Sequence, residues 1–424
     1  MSLLLRQGID KPNLSLLYKT LQESMDRGIR IDIAHELQEK IEKNYVIASQ
    51  KLWEDYDIKD IKDTKTLCRV FEKQAEEEEL KFGSSIIRTY SYDQKEKTWH
   101  TNTDIVADIA QHGNKFAINV LEVMKLFLYL QQIKSIREFV GDDGFAHPQI
   151  STSATNRVQY QKPGLLTITK PLLWNVVRPT SDDYNLYSID IQNQEPWILI
   201  NLLKIDSLKA MLSISDDTTG LYEVIYNYLY HKIPDVIERN ELKKAWNALT
   251  YGASKQAVIN MCKHIDGNTI YNFFKKIPNY QEYSSRMYAN AHNSNNKVVK
   301  SYFGTDVRIT GSSGAKRAKQ MMNAGIQATG TDILAFLVQN FLQEVSKESL
   351  EQSMRLYFTR HDECVIEIAK SFEELYGEDG VIDILTDLFA HRVDDWEPFR
   401  LKVTKIVPST EALFAVDEDV VDGG

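Results

Sequence analysis

Apolar positions in the first third of the chain recur at helical spacing. Asn13-Leu14-Ser15 opens a run that predicts a helix ended by Gly28. Residues 29–32 alternate like a short strand, and residues 33–55 return to helical spacing among many charges. Residues 55–79 are so charged that they read as a surface-lying segment. Residues 119–140 predict a second long amphipathic helix, with Leu121, Met124, Leu126, Phe127, Leu130 and Ile133 on broad apolar stripes. Between 141 and 170, Gly, Pro, Ser and Thr accumulate and predict irregular backbone. Tyr187-Ser188-Ile189-Asp190-Ile191 is a short β-prone run with an acid near its end. Residues 201–320 read as helices joined by polar loops, and residues 331–345 as a helix. Residues 355–358 and 365–368 are strand-like and flank His361-Asp362-Glu363, which predicts a β-hairpin with an acidic turn. Residues 401–407 form a last candidate strand. The strands are few and separated by helices, with no internal repeat, so the class is α+β.

Composition adds limits. The chain has 424 residues, of which 43% are apolar and 26% charged. That is globular composition with room for two or three domains, and it excludes a disordered or fibrous chain. The longest strongly apolar run, near 197–203, is too short for a membrane span, and residues 1–7 carry no signal-peptide pattern. A soluble, cytoplasmic protein is expected. Cys68, Cys262 and Cys364 lie far apart with no CxxC pair, which argues against a disulfide framework or a thiolate zinc site.

The formal net charge of −10 suggests solubility rather than nucleic acid. Its distribution changes that picture. Glu76 to Glu79 and the tail with Glu411, Asp417, Glu418, Asp419 and Asp422 are acidic. Residues 296–320 instead carry Lys297, Lys300, Arg308, Lys316, Arg317 and Lys319 against Asp306 alone. Residues 239–264 are similarly basic, with Glu241 the one acid. An acidic protein can present a basic groove, because only local charge touches a phosphate. Two solvated helix faces would look the same by charge alone.

Asp190 and Asp362 each sit at the end of a β-prone run. Two strand-borne carboxylates brought together repel, and divalent cations relieve the repulsion. Mg²⁺ binds through one or two carboxylates plus substrate phosphates. Two such ions activate an attacking oxygen and stabilise a leaving one in phosphoryl transfer. Residues 239–252 have helix-forming composition up to Gly252. Arg239, Lys243, Asn247 and Tyr251 recur at i+4 and share one face. That face can hold a triphosphate with its cations and a base or sugar with its aromatic. An amphipathic helix with snorkelling cations is the plainer alternative.

These segments, in this order, resemble the three signature motifs of family A (Pol I-like) DNA polymerases. Asp190-Ile191-Gln192-Asn193-Gln194-Glu195 resembles motif A, Arg239 to Tyr251-Gly252 with Lys243 resembles motif B, and His361-Asp362-Glu363 resembles motif C. Ala154-Thr155-Asn156-Arg157 with Pro163-Gly164-Leu165 and Ile168 resembles the segment before motif A. Asn323 to Thr329 resembles the segment after motif B, and Ser24 to Asp32 the start of the polymerase domain.

The resemblance implies a right-hand polymerase fold. Residues 1–30 would be a lead-in helix, 31–150 a helical thumb, and 151–204 the first part of the palm. Residues 205–320 would be helical fingers, and 321–424 the rest of the palm, with its antiparallel sheet, and the acidic tail. It implies a DNA-templated DNA polymerase extending a primer 3′-OH with dNTPs by two-metal-ion chemistry. Asp190, Asp362 and the Ile191 carbonyl would bind two Mg²⁺ ions, with Mn²⁺ a possible substitute. Glu363 would shape the site, and Arg239 and Lys243 would grip the triphosphate, Lys243 also protonating the leaving group. Tyr251 would sit beside the nascent pair, with Glu195 bonded to its hydroxyl and excluding a ribose 2′-OH. Asn247 stands where the family has Phe or Tyr against the incoming sugar. Arg157, Asn323, Gln327 and His361 would contact primer-template DNA.

The resemblance leaves no room for proofreading or 5′ nuclease domains within these residues. A separate exonuclease, helicase or other replisome protein would then be a partner, as in compact phage or other mobile replicons. Two alternatives stay open: a single-subunit RNA polymerase or primase-like enzyme, against which Glu195 argues, and a non-catalytic nucleic-acid-binding replisome protein.

Overall fold

The computed structural model describes residues 12–77, 92–93, 98–99, 106–107, 110, 113–209, 220–292, 297–311, 314–390, 396 and 399–414. The side chains of the acidic run at 76–79 and the acidic tail from 415 onward lie outside the described residues. In chain order the elements are α1 (Leu14–Arg27), β1 (Ile29–Ile31), α2 (His35–Tyr56), α3 (Thr64–Glu77), β2 (Tyr92–Asp93), β3 (Thr98–Trp99), α4 (Lys115–Arg137), β4 (Phe145–Ala146), β5 (Gln149–Thr152), β6 (Val158–Gln161), α5 (Lys170–Val176), β7 (Val177–Arg178), β8 (Tyr184–Ile191) and α6 (Gln194–Leu202). Then come α7 (Leu221–Tyr230), α8 (Val236–Thr250), α9 (Lys255–Met261), α10 (Gly267–Lys276), α11 (Pro278–His292), β9 (Val298–Lys300), β10 (Asp306–Arg308), α12 (Gly314–Lys347), β11 (Met354–Arg360), β12 (Glu363–Ala369), α13 (Lys370–Phe389), β13 (Leu401–Lys405) and α14 (Thr410–Phe414).

The chain divides into two units. One comprises residues 1–28, 148–161 and 179–406; the other comprises 29–147, 162–178 and 407–424.

In the second unit, α2 and α4 pack lengthwise. Their shared core includes Leu37, Ile41 and Leu52 from one helix and Val120, Val123 and Leu126 from the other. Asn114 caps α4 by accepting from the Ala117 amide at 2.8 Å. Phe116 is gripped by Tyr56 and Phe71, with ring centroids 4.6 and 4.5 Å away. The segment expected to lie on the surface therefore contributes core: Leu67, Cys68 and Phe71 of α3 are buried, on a helix whose charges obscure its narrow apolar stripe. Helix α4 is long and apolar enough to cross a membrane by length and composition, contrary to the expectation of no such segment. Half of that stretch is buried within the protein, as in the core helix of a folded unit. A three-stranded antiparallel sheet in the order β4-β1-β7 completes the unit.

The first unit is built on a four-stranded antiparallel sheet in the order β11-β12-β8-β13. β8 and β12 are central and mostly buried, so their apolar residues pack into the core while a few polar ones, Ser188, Asp190, Glu363 and Glu367, stand among them. Two glutamates interrupt β12, and both are compensated. Glu363 accepts from the Ser188 hydroxyl. Glu367, wholly buried, accepts from the Thr180 amide at 2.5 Å and from Arg355 Nε at 2.6 Å. On one face lies α13, whose Glu373 accepts from Asn185 and from the Tyr187 hydroxyl, each at 2.8 Å, and pairs with Lys405. Helix α1 packs along β11 through Leu17, Leu21 and Met25, and its Ser24 hydroxyl donates to the Tyr357 carbonyl at 2.5 Å.

Helix α12 has 34 residues and packs on α1, α6, α11 and α13. It runs well beyond the 331–345 stretch, because Gly325 and Gly330 fall in its interior and mask the pattern. A Cβ at Gly330 would run into Gln194 Oε1, so a larger residue there would make the side chain by which α6 seats on α12 shift. Helices α7 to α11 form a cluster around the buried Trp246, whose ring meets Phe274 edge-on at 4.6 Å. The antiparallel β9–β10 hairpin is pinned to α12 by buried Asp332, which accepts from the Ser301 and Thr305 hydroxyls.

Candidate active site

β8 alternates strictly. Tyr187, Ile189 and Ile191 point to one side of the sheet; Leu186, Ser188 and Asp190 point to the other. The strand ends where Asn193 adopts φ 52, and α6 begins at once. On the neighbouring hairpin, Arg360 and Glu363 pair across a two-residue turn made of His361, at φ 56, and Asp362. The Ile191 amide donates to the Asp362 carbonyl at 3.2 Å. The turn therefore delivers Asp362 to the end of β8, beside Asp190.

The electrostatics register this meeting. The Asp362 carboxyl is pushed up to about 7, first by burial and then by the charge of Asp190. Glu363 stands directly across from Asp190 in the sheet but is 2% exposed and turned onto Ser188. His361 lies below the ordinary imidazole range, because protein crowds part of its ring and the Arg360 and Arg157 guanidiniums stand near.

Among the described residues no group of three or more His, Cys, Asp or Glu forms a ready-made metal cage. The donors that do converge suit magnesium: two carboxylates, one of them carrying a charge the protein alone tolerates poorly, with substrate phosphates to complete the shell. In an antiparallel strand the N–H and C=O of one residue leave by the same edge. The Ile191 carbonyl accordingly faces the Asp362 side.

Arg157, on the loop between β5 and β6, donates from Nη2 to Glu195 Oε1 at 2.5 Å. The Tyr251 hydroxyl donates to the other oxygen of the same carboxylate. Burial and that carboxylate push the Tyr251 phenol far above its usual range, so it stays a donor. This Arg157–Glu195–Tyr251 bridge ties the last turn of α8 to α6. Arg157 is also close enough to Asp362 to lower its affinity for a proton.

Helix α8 begins in a capping box between Asp235 and Glu238 and presents Arg239, Lys243, Asn247 and Tyr251 along one side. Arg239 stands about 18 Å from Tyr251 along the axis. Its Nε donates to Glu223, and its guanidinium lies 5.9 Å from the Tyr222 ring centroid. Lys243 is half-buried between them. Asn247 Oδ1 accepts from the Tyr222 hydroxyl at 3.2 Å.

Asn323 and Gln327 are the half-exposed residues one turn apart on an otherwise buried stretch of α12. With Ala248, Tyr251, Ala253, Lys319 and Gln320, Asn323 lines a cavity of about 430 Å³. Its Oδ1 is buried without a hydrogen-bond partner among the described residues. An orphaned acceptor beside an aromatic is a place for an outside donor.

Sequence reading thus paired Glu195 with Tyr251 but did not foresee Arg157 on the same carboxylate. It also missed Tyr222, Glu223 and Ser188, and Lys402, which faces Asp190 across the sheet from β13. Only tertiary packing brings these residues in; no local spacing marks them.

Two comparisons bear on this geometry. The POL domain of Pol1 from M. smegmatis, in complex with DNA primer-template and dNTP, superposes with a TM-score of 0.69 at 17% identity, covering 92% of this chain and 68% of that one. At that identity the likeness speaks for the fold. The family model of DNA polymerase family A matches residues 31–379, most of the chain. The chain therefore belongs to DNA polymerase family A, the DNA-directed nucleotidyltransferases.

Proposed function

We propose that this chain extends the 3′-hydroxyl of a DNA primer, on a DNA template, with deoxynucleoside triphosphates. The observation that carries the reading is the meeting of Asp190 and Asp362 at one sheet end, linked through Arg157 and Glu195 to the Arg239–Tyr251 face. The two carboxylates and the Ile191 carbonyl are the donors that would hold two Mg²⁺ ions. When bound, such ions make a primer hydroxyl acidic and stabilise charge on a leaving pyrophosphate.

The chain's own residues do the rest. Arg239 and Lys243 neutralise the triphosphate, and Lys243 offers a proton to the leaving group. Glu195 occupies the space beside the sugar that a 2′-hydroxyl needs, held there by Tyr251. Asn323 and Gln327 contact the minor-groove acceptors shared by all correct pairs, while Arg157 and His361 approach the primer end. Glu363 shapes the sheet end from its buried position beside Ser188. The four-stranded sheet serves as palm, helices α7 to α11 as fingers, and residues 31–150 as thumb. That the M. smegmatis protein was captured with primer-template and dNTP supports the same class of partners here.

The test is gel-resolved extension of a primed template with Mg²⁺, comparing dNTPs with rNTPs. Stepwise dNTP addition is expected. No extension, or preference for rNTPs, overturns the proposal.

A further inference from the structure

The first turn of α7 holds a side-chain brace that no motif marks. Glu223 gives Oε1 to Arg239 Nε, while its buried Oε2 has no hydrogen-bond partner among the described residues. Tyr222, the preceding residue, is 1% exposed and lies against the same guanidinium at 5.9 Å. Its hydroxyl is fixed in turn by Asn247, two turns further along α8, at 3.2 Å. Arg239 is thus held at its Nε by a carboxylate and flanked by a ring whose hydroxyl is itself anchored on α8. Among the described residues its two Nη groups make no hydrogen bond. A guanidinium tethered at Nε presents its Nη pair as a fork, the geometry that takes two oxygens of one phosphate.

The backbone makes room for this arrangement. Gly220 caps α7 at an ordinary φ of −69, so its lack of a side chain is not conformational. A Cβ there would stand 2.1 Å from Glu223 Oε2. Any larger residue at 220 would force that carboxylate to shift. Asn247 gains a purpose as well: it carries the hydroxyl of the ring that flanks Arg239.

We propose that Glu223 is a positioning residue for nucleotide binding. It aims the Arg239 fork at the triphosphate, with Tyr222 as a side wall and Gly220 as the space that admits it. The inference rests on the reading of α8 as the nucleotide-holding helix. It predicts which variants damage triphosphate affinity without touching the reacting atoms.

The experiment is single-nucleotide insertion by the full chain, with KM and kcat measured separately for Glu223→Ala, Glu223→Gln and Gly220→Ala. Loss of the aiming contact is worth roughly tenfold in affinity. Glu223→Ala should raise the KM for dNTP by about that factor with a much smaller change in kcat. It should raise the KM for pyrophosphate in the reverse reaction in parallel, and leave primer-template affinity in place. Glu223→Gln keeps an oxygen for Nε and should restore most of the affinity. Gly220→Ala keeps the carboxylate but displaces it, and should reproduce the Glu223→Ala defect. A KM within twofold of the parent in Glu223→Ala overturns the inference. So does a KM that falls because a competing charge has gone, or a Glu223→Gln variant as defective as Glu223→Ala. If the parent chain adds no nucleotide to any primer, the polymerase reading fails and takes this one with it. If it extends primers but the KM is unmoved, this inference fails alone.

Discussion

Glu195 divides its two carboxylate oxygens between Tyr251 and Arg157, so one acid from α6 fixes both the end of α8 and the loop before β6. Removing it frees both partners and, on the proposed role, opens space beside the sugar. Glu195→Ala is expected to raise ribonucleotide incorporation relative to deoxynucleotide by roughly tenfold or more, the scale on which one well-placed group separates substrates. Paired insertion kinetics with dNTP and rNTP check it, and an unchanged ratio refutes the assigned role.

Asp190→Asn and Asp362→Asn preserve shape while removing charge. On the proposed two-metal reading each should cut primer extension by about a thousandfold or more, since one of the two anionic metal donors is lost. Gel-shift affinity for primer-template should stay near that of the parent. Binding should also weaken steeply with added salt despite the net charge of −10. Wild-type extension by either variant would contradict the site.

Asp362 carries a pH signature. Its folded value of about 7 lies above the ordinary 3.8, so the folded state holds this proton more tightly than the unfolded chain does. As pH rises through that window, the metal-free protein loses stability from this group, and above about 7 the loss is complete. Asp362→Asn removes the term. In chelator its melting temperature should gain on the parent's between about pH 4 and 7, then run parallel. The full difference is on the order of 4 kcal/mol. Mg²⁺ at pH 8 should raise the parent's melting temperature and affect the variant less.

Glu367 tests the frame beneath the site. It is wholly buried and held by Arg355 Nε and the Thr180 amide. Arg355→Ala strands that charge inside the sheet and should cost about 3 kcal/mol of unfolding free energy. Chemical denaturation measures it, and a loss below about 1 kcal/mol would show that Glu367 finds another partner.

Much of the fold was legible because local and global signals agree. Asn13 and Gly28 bracket α1 as cap and stop, and the alternation around Asp190 marks β8. The acidic turn at His361-Asp362 is the hairpin that its flanking strands announce. Legibility failed where chemistry and packing part company. Helix α3 hides its buried Leu67 and Phe71 among charges, and α12 carries glycines in its interior, Gly330 lying close against Gln194. In the site, residues on one helix face could be grouped by spacing alone. Tyr222 and Glu223 could not, because the helix that carries them reaches α8 only through the fold.

The union of α1 with β11 carries a consequence for synthesis. Ser24 and Tyr357 are joined by a hydrogen bond across 333 positions of sequence. A ribosome adding about 5–20 residues per second needs tens of seconds to bridge that gap. Throughout that interval Leu17, Leu21 and Met25 of α1 are without the strand β11 they pack along. The seat of α1 on β11 therefore forms only after most of the chain has been made. Slow translation would lengthen that interval.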